Sequence, residues 1–273
     1  MCLHFNDKTD KCQERWRKNE FIHHFESGGG NIRLRCAIIK NGDDGTDMKK
    51  TGIINGFWLK VIMSVFMVLD HIYYFLPGQP IWMTMLGRLV APVFAFLVAE
   101  GLYYTHDRKR YIGRMLWFGV AMLFGNIILM LIFKTPISNS ILVSLAISAK
   151  LVDTAEKYLS GESRAAALVS IVLLSLTTFF FEGMWLCPLM VAIFYFLRER
   201  PLIMSLAYAG GVVPAVHFLK MGASYQWLMI FALIPIFMYN GKRGPDYPAA
   251  KYFFYAFYPI HIWILYIMGQ VFF

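Results

Sequence analysis

The stretch LKVIMSVFMVLDHIYYFL, residues 59–76, decides the fold. A helix needs about 20 mainly apolar residues to cross a bilayer, and this segment is long and apolar enough to do so. It nevertheless contains Lys60, Asp70 and His71. Because a charged side chain at the centre of a membrane helix costs at least ~2.5 to 3.5 kcal/mol, we expect these three groups to face the interior of a helix bundle.

The rest of the chain has the same apolar character. Of its 273 residues, 58% are hydrophobic, 17% aromatic and only 16% charged, which lies outside the range of soluble globular domains. We therefore predict an all-α, polytopic transmembrane bundle of about nine spans. The predicted spans are 56–77, 86–104, 111–133, 139–157, 165–182, 184–198, 201–219, 225–239 and 251–272.

Residues 1–47 differ from the remainder in composition. They hold eight Lys/Arg and eight Asp/Glu and no apolar run that could span a membrane, so we interpret 1–47 as a polar tail and 48–273 as the transmembrane domain. A translation start at Met48 is the alternative. The cysteines and histidines of the tail lack metal-ligand spacing, and we expect no metal site. With no apolar signal-peptide core at the N-terminus, the first span is expected to act as the insertion signal.

Basic residues set the expected orientation. With eight of each sign in the tail, 18 Lys/Arg face 9 Asp/Glu in residues 48–273. Lys and Arg are retained on the cytoplasmic side, so we expect the N-terminus inside and the C-terminus outside. The basic residues then expected inside are Lys49, Lys50, Arg108, Lys109, Arg110, Arg114, Lys150, Lys157, Arg164, Arg198, Arg200, Lys242, Arg243 and Lys251, against Arg88, Lys134 and Lys220 outside.

Lys60 and His71 share one stripe of the first helix. Eleven residues correspond to a rotation of about 1100°, within about 20° of eclipsed, and to a rise of roughly 16 Å. Asp70 lies about 100° from His71 and should face a different neighbour. Arg88, at the start of the second span, is its natural partner, and Pro92 should kink that span near Arg88. The simplest interpretation of Asp70 and Arg88 is a structural pair that fastens the first two helices.

The segment THDRKRYIGR, residues 105–114, carries a cluster of four basic residues, Arg108, Lys109, Arg110 and Arg114. Such a cluster is explained either by membrane topology and contact with anionic lipid, or by binding of an anionic cytoplasmic ligand such as a phosphate. In the last span, Tyr258, Pro259 and His261 lie together, and the proline removes one backbone hydrogen bond.

Four further residues are weaker candidates. Glu100 lies toward the inner end of the second span, where it is either an interfacial acid or part of a site. Glu182, Trp185 and His217 map to the outer side and could line the exit of a cavity.

Five segments carry a resemblance to a known family: FMVLDHIYYFL, GRLVAPVFAFLVAEGLYYT, RYIGRMLWFG, NSILVSLAI and FYAFYPIHIWILY. They resemble the TraX family, named for the F-pilin acetylase of conjugative plasmids. More distantly, the Lys60 to His71 interval is similar to the Arg and His of the first helix in membrane acyltransferases of the acyltransferase-three type. Lysine replaces that arginine here, and the spacing of Arg110 and Arg114 is offset by one residue from the usual motif.

The resemblance implies a multi-pass protein of the bacterial inner membrane. It also implies transfer of an acyl group, acetyl by analogy, from cytoplasmic acetyl-CoA to an amine or hydroxyl acceptor such as a pilin N-terminus or an envelope glycan. The expected partners are the bilayer and this acceptor, with no nucleic acid.

On this interpretation His71 is the general base, Arg88 stabilises the oxyanion, Asp70 holds Arg88, and His261 is a reserve base. Lys60 and the basic cluster would bind the cofactor, while the residues expected at the acceptor are Tyr258, Glu100, Glu182 and His217. Two alternatives stay open: a proton-coupled transporter or flippase, and a non-catalytic scaffold for pilus or envelope assembly.

Overall fold

A computed structural model describes residues 52–137, 141–161, 164–181, 183, 185–218, 225–245 and 248–272. The tail, 1–47, lies outside these residues. Within them the regular structure is helical, apart from one isolated parallel bridge between Ile54 and Tyr239. The α-helices are α1 (Gly56–Phe75), α2 (Trp82–Gly87), α3 (Val90–Tyr104), α4 (Arg108–Phe133), α5 (Ile141–Ser160), α6 (Arg164–Thr178), α7 (Leu186–Phe196), α8 (Pro201–Ala207), α9 (Val213–Phe218), α10 (Leu233–Phe237) and α11 (Pro248–Phe272).

Two further helical segments are not α-helices. A π-helix, Tyr208–Val212, joins α8 to α9, and a 3₁₀-helix, Gln226–Ala232, leads into α10. Each of the nine predicted segments therefore overlaps helix in the described chain, and the all-helical prediction is confirmed.

Four of the described helical segments are long and apolar enough to cross a membrane: Gly56–Phe75, Trp82–Tyr104, Arg108–Phe133 and Tyr252–Phe272. The others are shorter, with the exception of α5, whose 20 residues include Lys150, Asp153, Glu156 and Lys157. The structure thus establishes fewer membrane-length helices than the nine predicted spans.

α1 begins where the side chain of Asn55 accepts a hydrogen bond from the backbone N–H of Trp58 at 3.0 Å, which satisfies one of the free N–H groups of the first turn. It ends at Leu76, which is extended and precedes Pro77. α2 packs closely against the C-terminal half of α1, where Gly87 faces Asp70 and leaves no room for a β-carbon. This close approach brings the residue that follows α2, Arg88, next to the carboxylate.

The predicted break near Arg88 is confirmed. α2 ends at Gly87 and α3 starts at Val90, so the helix is interrupted about one turn before Pro92, where the proline cannot donate to a preceding carbonyl. α11 in contrast continues through Pro259.

The buried residues that the structure describes form two apolar clusters. The larger cluster joins α1, α3, α5 and α7 through fully buried residues such as Leu59, Val93, Ala149 and Val191. The smaller cluster is formed by Met67, Val90, Met122, Tyr258 and Ile262, and packs between α1, α3, α4 and α11. By contrast, α4 exposes a row of apolar side chains, Trp117, Phe124, Ile128 and Leu131. Such a surface suits contact with lipid.

Candidate active site

The packing of α11 on α1 brings two histidines together. Nδ1 of His71 lies 3.0 Å from Nε2 of His261, and the ring centroids are 5.0 Å apart. Phe75 stacks on His71 and Phe257 stacks on His261, with centroid distances of 6.1 Å and 4.8 Å. Tyr258 contacts the His261 ring edge at 5.9 Å. The imidazoles are therefore held from several sides, and two predicted catalytic residues, one on α1 and one on α11, contact each other.

The hydrogen bonds assign the tautomers of this pair. Nδ1 of His261 lies 2.7 Å from the carbonyl oxygen of Phe257, which can only accept, so Nδ1 carries the proton. In neutral His261, Nε2 is then an acceptor, and Nδ1 of His71 must donate to it. The proton of neutral His71 is thereby fixed on Nδ1, and its Nε2 keeps the lone pair. That nitrogen can take a proton from a substrate.

Asp70 and Arg88 form the predicted ion pair. Nη2 of Arg88 donates to Oδ1 of Asp70 at 2.8 Å and to Oδ2 at 3.1 Å. The hydroxyl of Thr84 donates to the same Oδ1 at 2.6 Å, and Nη1 of Arg88 donates to Oε1 of Gln226 at 2.9 Å. The pair therefore ties α1, the α2–α3 junction and the 3₁₀-helix together.

Adjacent residues of α1 serve different networks. Asp70 bonds to Arg88 and Thr84, while His71 bonds to His261. The expectation that Asp70 faces another neighbour than His71 is confirmed. Asp70 consequently orients Arg88 and does not orient the imidazole.

A cavity of about 490 Å³ opens between the start of α1, the end of α3, the start of α4 and the segment 239–245. We call it the basic cavity, because Lys60, Arg114 and Arg243 line it, with Glu100 as the one carboxylate among the described lining residues. Nε of Arg114 is buried without a hydrogen-bond partner in the described part of the chain, although the guanidinium also bonds to the side chain of Tyr255.

The four basic residues of the 105–114 segment have separate environments. Arg114 lines the basic cavity, but Arg108, Lys109 and Arg110 do not. Arg108 bonds to Glu156, to Asp153 at 3.4 Å and to the hydroxyl of Tyr195 at 2.8 Å, so it joins α4, α5 and α7. Arg110 is 77% exposed and pairs with Asp107 at 3.3 Å.

Glu100 is a buried acid with a basic partner. Its side chain is 6% exposed, and Oε1 accepts from Nη2 of Arg198 at 2.9 Å. Arg198 also stacks on Tyr103, with its guanidinium carbon 3.6 Å from the ring centroid. Arg198 lies two residues after the end of α7, so the buried pair links α3 to the segment that follows α7. Glu100 also lines the basic cavity.

The remaining predicted residues are placed as follows. Tyr258 is 5% exposed and belongs to the smaller core cluster. Glu182 and the side chain of His217 lie outside the described residues. Trp185 directly precedes α7 and packs on the larger core cluster.

Sequence reasoning missed four groups of the site. Thr84 and Gln226 complete the network around Asp70 and Arg88, Arg198 pairs with Glu100, and Arg243 completes the basic cavity. Thr84, four residues before Arg88, could have been found from helical spacing. The other three approach from distant segments without a periodic pattern.

Two side chains border both the basic cavity and the core cluster beside the histidine pair. Phe94 and Leu142 line the cavity, and both also pack on the cluster that contains Met67 and Tyr258. Met67 is one turn before His71, and Tyr258 contacts His261. Phe94 and Leu142, which we call the apolar partition, therefore connect the wall of the basic cavity with the apolar packing around the histidine pair.

Comparisons with known proteins bear on the same residues. Probable fimbrial assembly protein FimC, serogroup H1, of Dichelobacter nodosus is 29% identical to this chain over 234 residues, which is 77% of this chain and 94% of that protein. No solved structure matches. A family model described as TraX protein matches residues 56–269, from the first residue of α1 into the last turn of α11. The match spans the histidine pair, the ion pair at Arg88 and the basic cavity, and the chain belongs to the TraX family.

Proposed function

We propose that this protein is a membrane-embedded acyltransferase that moves an acyl group, acetyl by analogy with the family's name, from acyl-CoA to an amine or hydroxyl acceptor. The observation that carries the proposal is the hydrogen bond between His71 and His261, because it leaves Nε2 of His71 as a proton acceptor. A positioned histidine base contributes about 10² to 10⁴ in rate.

The basic cavity suits the nucleotide end of the donor. Lys60, Arg114 and Arg243 provide three cations for phosphate groups, while Glu100 is already neutralised by Arg198. Arg114 and Arg243 thus bind the phosphates that the sequence analysis assigned to Lys60 and all four basic residues of segment 105–114.

The thioester arm would extend along α1 toward the histidine pair. Lys60 precedes His71 by a rise of roughly 16 Å. We infer that the arm passes the partition of Phe94 and Leu142, because these side chains border both the basic cavity and the cluster beside the histidines. This partition excludes water from the reacting thioester until the arm displaces it.

His71 can both accept and return the proton of the transfer step. The acceptor nitrogen or oxygen forms a bond to the acyl carbon while its proton moves to Nε2 of His71. The carbon–sulfur bond then breaks, and the imidazolium returns the proton to the leaving thiolate. Arg88, held by Asp70, Thr84 and Gln226, is the candidate to stabilise the oxyanion. His261 acts only through the hydrogen bond that its Nε2 accepts from Nδ1 of His71. This bond fixes the tautomer of His71 and stabilises the positive charge that His71 gains on protonation.

The test uses full-length protein in lipid nanodiscs with labelled acetyl-CoA. We expect slow release of CoA, or labelling of an acceptor fraction, which His71→Gln abolishes. His106→Gln is the matched control, because His106 is exposed in the segment between α3 and α4. Thioester turnover that is equal in all three proteins would overturn the proposal.

A second function is a non-catalytic role in fimbrial assembly, which the description of the Dichelobacter relative as a probable fimbrial assembly protein favours. If the role is non-catalytic, fimbriae should still assemble in cells that carry His71→Gln. If the protein acylates a fimbrial component, that component should lose its acyl group in the same cells. Proton-coupled uptake of a solute without thioester turnover would instead indicate the transporter.

A further inference from the structure

A second cavity lies away from the histidine pair, between α4, α5 and α6. It has a volume of about 330 Å³, and we call it the α4–α6 groove. Its apolar walls include Ile112, Leu116, Ala146 and Leu174. Gly113 also lines it, and a β-carbon at this position would meet nothing within 4 Å. The groove therefore has an open floor that the packing of the protein does not fill.

One end of this groove is positively charged. Lys109 and Lys150 line it, the first in the opening turn of α4 and the second 43% exposed on α5. Asp153 also lines this end, and it pairs with three cations: Lys157 at 2.9 Å, Arg108 at 3.4 Å and Lys150 itself at 3.6 Å. One carboxylate, Asp153, is shared among these cations, so this end of the groove keeps an excess of positive charge. The N-terminus of α4 adds to it.

The apolar end continues into the surface that suits lipid. Leu116 is 42% exposed, and Val169 and Leu173, near Leu174 on α6, are 59% and 58% exposed. A soluble anion would use the lysines but would leave the apolar walls empty. A molecule with a phosphate at one end and a hydrocarbon chain at the other matches both halves of the groove.

We propose that the α4–α6 groove binds one anionic phospholipid, with its phosphate between Lys109 and Lys150 and one acyl chain along Ile112, Leu116 and Leu174. The site is independent of the acyltransfer proposed above, since none of these residues lines the basic cavity or contacts His71.

The experiment measures lipid retention by native mass spectrometry. The full-length protein is purified in detergent and mixed with equal amounts of phosphatidylglycerol and phosphatidylcholine. We expect one tightly retained phosphatidylglycerol per chain. Lys109→Gln and Lys150→Gln should each weaken it about fivefold relative to phosphatidylcholine, because a basic residue near the membrane surface contributes about that factor.

A groove-filling variant tests the apolar half. Gly113→Leu extends into the open floor and raises helix propensity, so the protein should fold as before and lose the retained lipid. Arg110→Gln is the control, since Arg110 is in the same first turn but pairs with Asp107 outside the groove.

Three results would overturn the proposal. They are equal retention of the two lipids, unchanged retention in both the Gly113→Leu and the lysine variants, and complete displacement of the lipid by inorganic phosphate, which would identify a soluble anion as the ligand.

Discussion

Nδ1 of His71 and Nε2 of His261 lie 3.0 Å apart although 190 positions separate them in the chain. The carbonyl of Phe257 fixes the proton on the far side of His261, and this determines which nitrogen of His71 is basic. A backbone carbonyl in α11 thus controls the chemistry of a side chain in α1.

The first prediction tests this control. His261→Leu removes the acceptor for Nδ1–H of His71 and should lower kcat for acyl transfer about tenfold, the value of one hydrogen bond. His261→Gln keeps an amide oxygen that can accept from Nδ1 and should recover most of the rate. Steady-state CoA release measures both. Equal losses in the two variants would contradict a positioning role.

The second prediction concerns the ion pair. Asp70→Asn leaves Arg88 with neutral acceptors only and should reduce the free energy of unfolding by about 1 to 3 kcal/mol, measured by denaturant titration in mixed micelles. Asp107→Asn is the matched control. It breaks the exposed pair with Arg110, and exposed pairs contribute about 0 to 1 kcal/mol. Similar losses in both variants would show that Asp70 does not fasten α1 to the α2–α3 junction.

The third prediction distinguishes the basic cavity from the basic surface. Arg114→Gln should raise KM for acetyl-CoA about tenfold and leave kcat nearly unchanged, because it removes a charge-assisted contact to a phosphate remote from the reacting thioester. Arg200→Gln, at an exposed position outside the cavity, should change neither constant. A lower kcat with constant KM in Arg114→Gln would place this residue elsewhere in the reaction.

The fourth prediction uses the most buried ion pair of the site. Glu100→Gln leaves the guanidinium of Arg198, 13% exposed, without its carboxylate. We expect a loss of about 3 to 5 kcal/mol in unfolding free energy, since removing one member of a buried pair strands the other charge. The double variant Glu100→Gln, Arg198→Gln should recover part of this loss in a double-mutant cycle. Strict additivity would mean that the two side chains are not coupled.

The sequence predicts those features that depend on local spacing. Apolar runs locate the helices, Pro92 locates the break, and the short connection between Asp70 and Arg88 predicts their pairing. The bonds from His71 to His261 and from Arg88 to Gln226 depend on which helix packs against α1 and α2. Helical periodicity gives the face of each helix but does not give its neighbour.

The last prediction concerns the partition between the basic cavity and the histidine pair. Phe94 lines the cavity and also packs on the cluster of Met67 and Tyr258, and on the proposed path from Lys60 to His71 the thioester arm displaces its ring. Phe94→Trp enlarges this barrier and should lower kcat while KM for acetyl-CoA changes little, because the phosphate contacts are untouched. Phe94→Leu makes the barrier smaller and should not lower kcat. Phe124→Trp, at a position 65% exposed on α4, controls for the added bulk. If Phe94→Trp raises KM alone, the ring belongs to the binding site and not to the path of the arm.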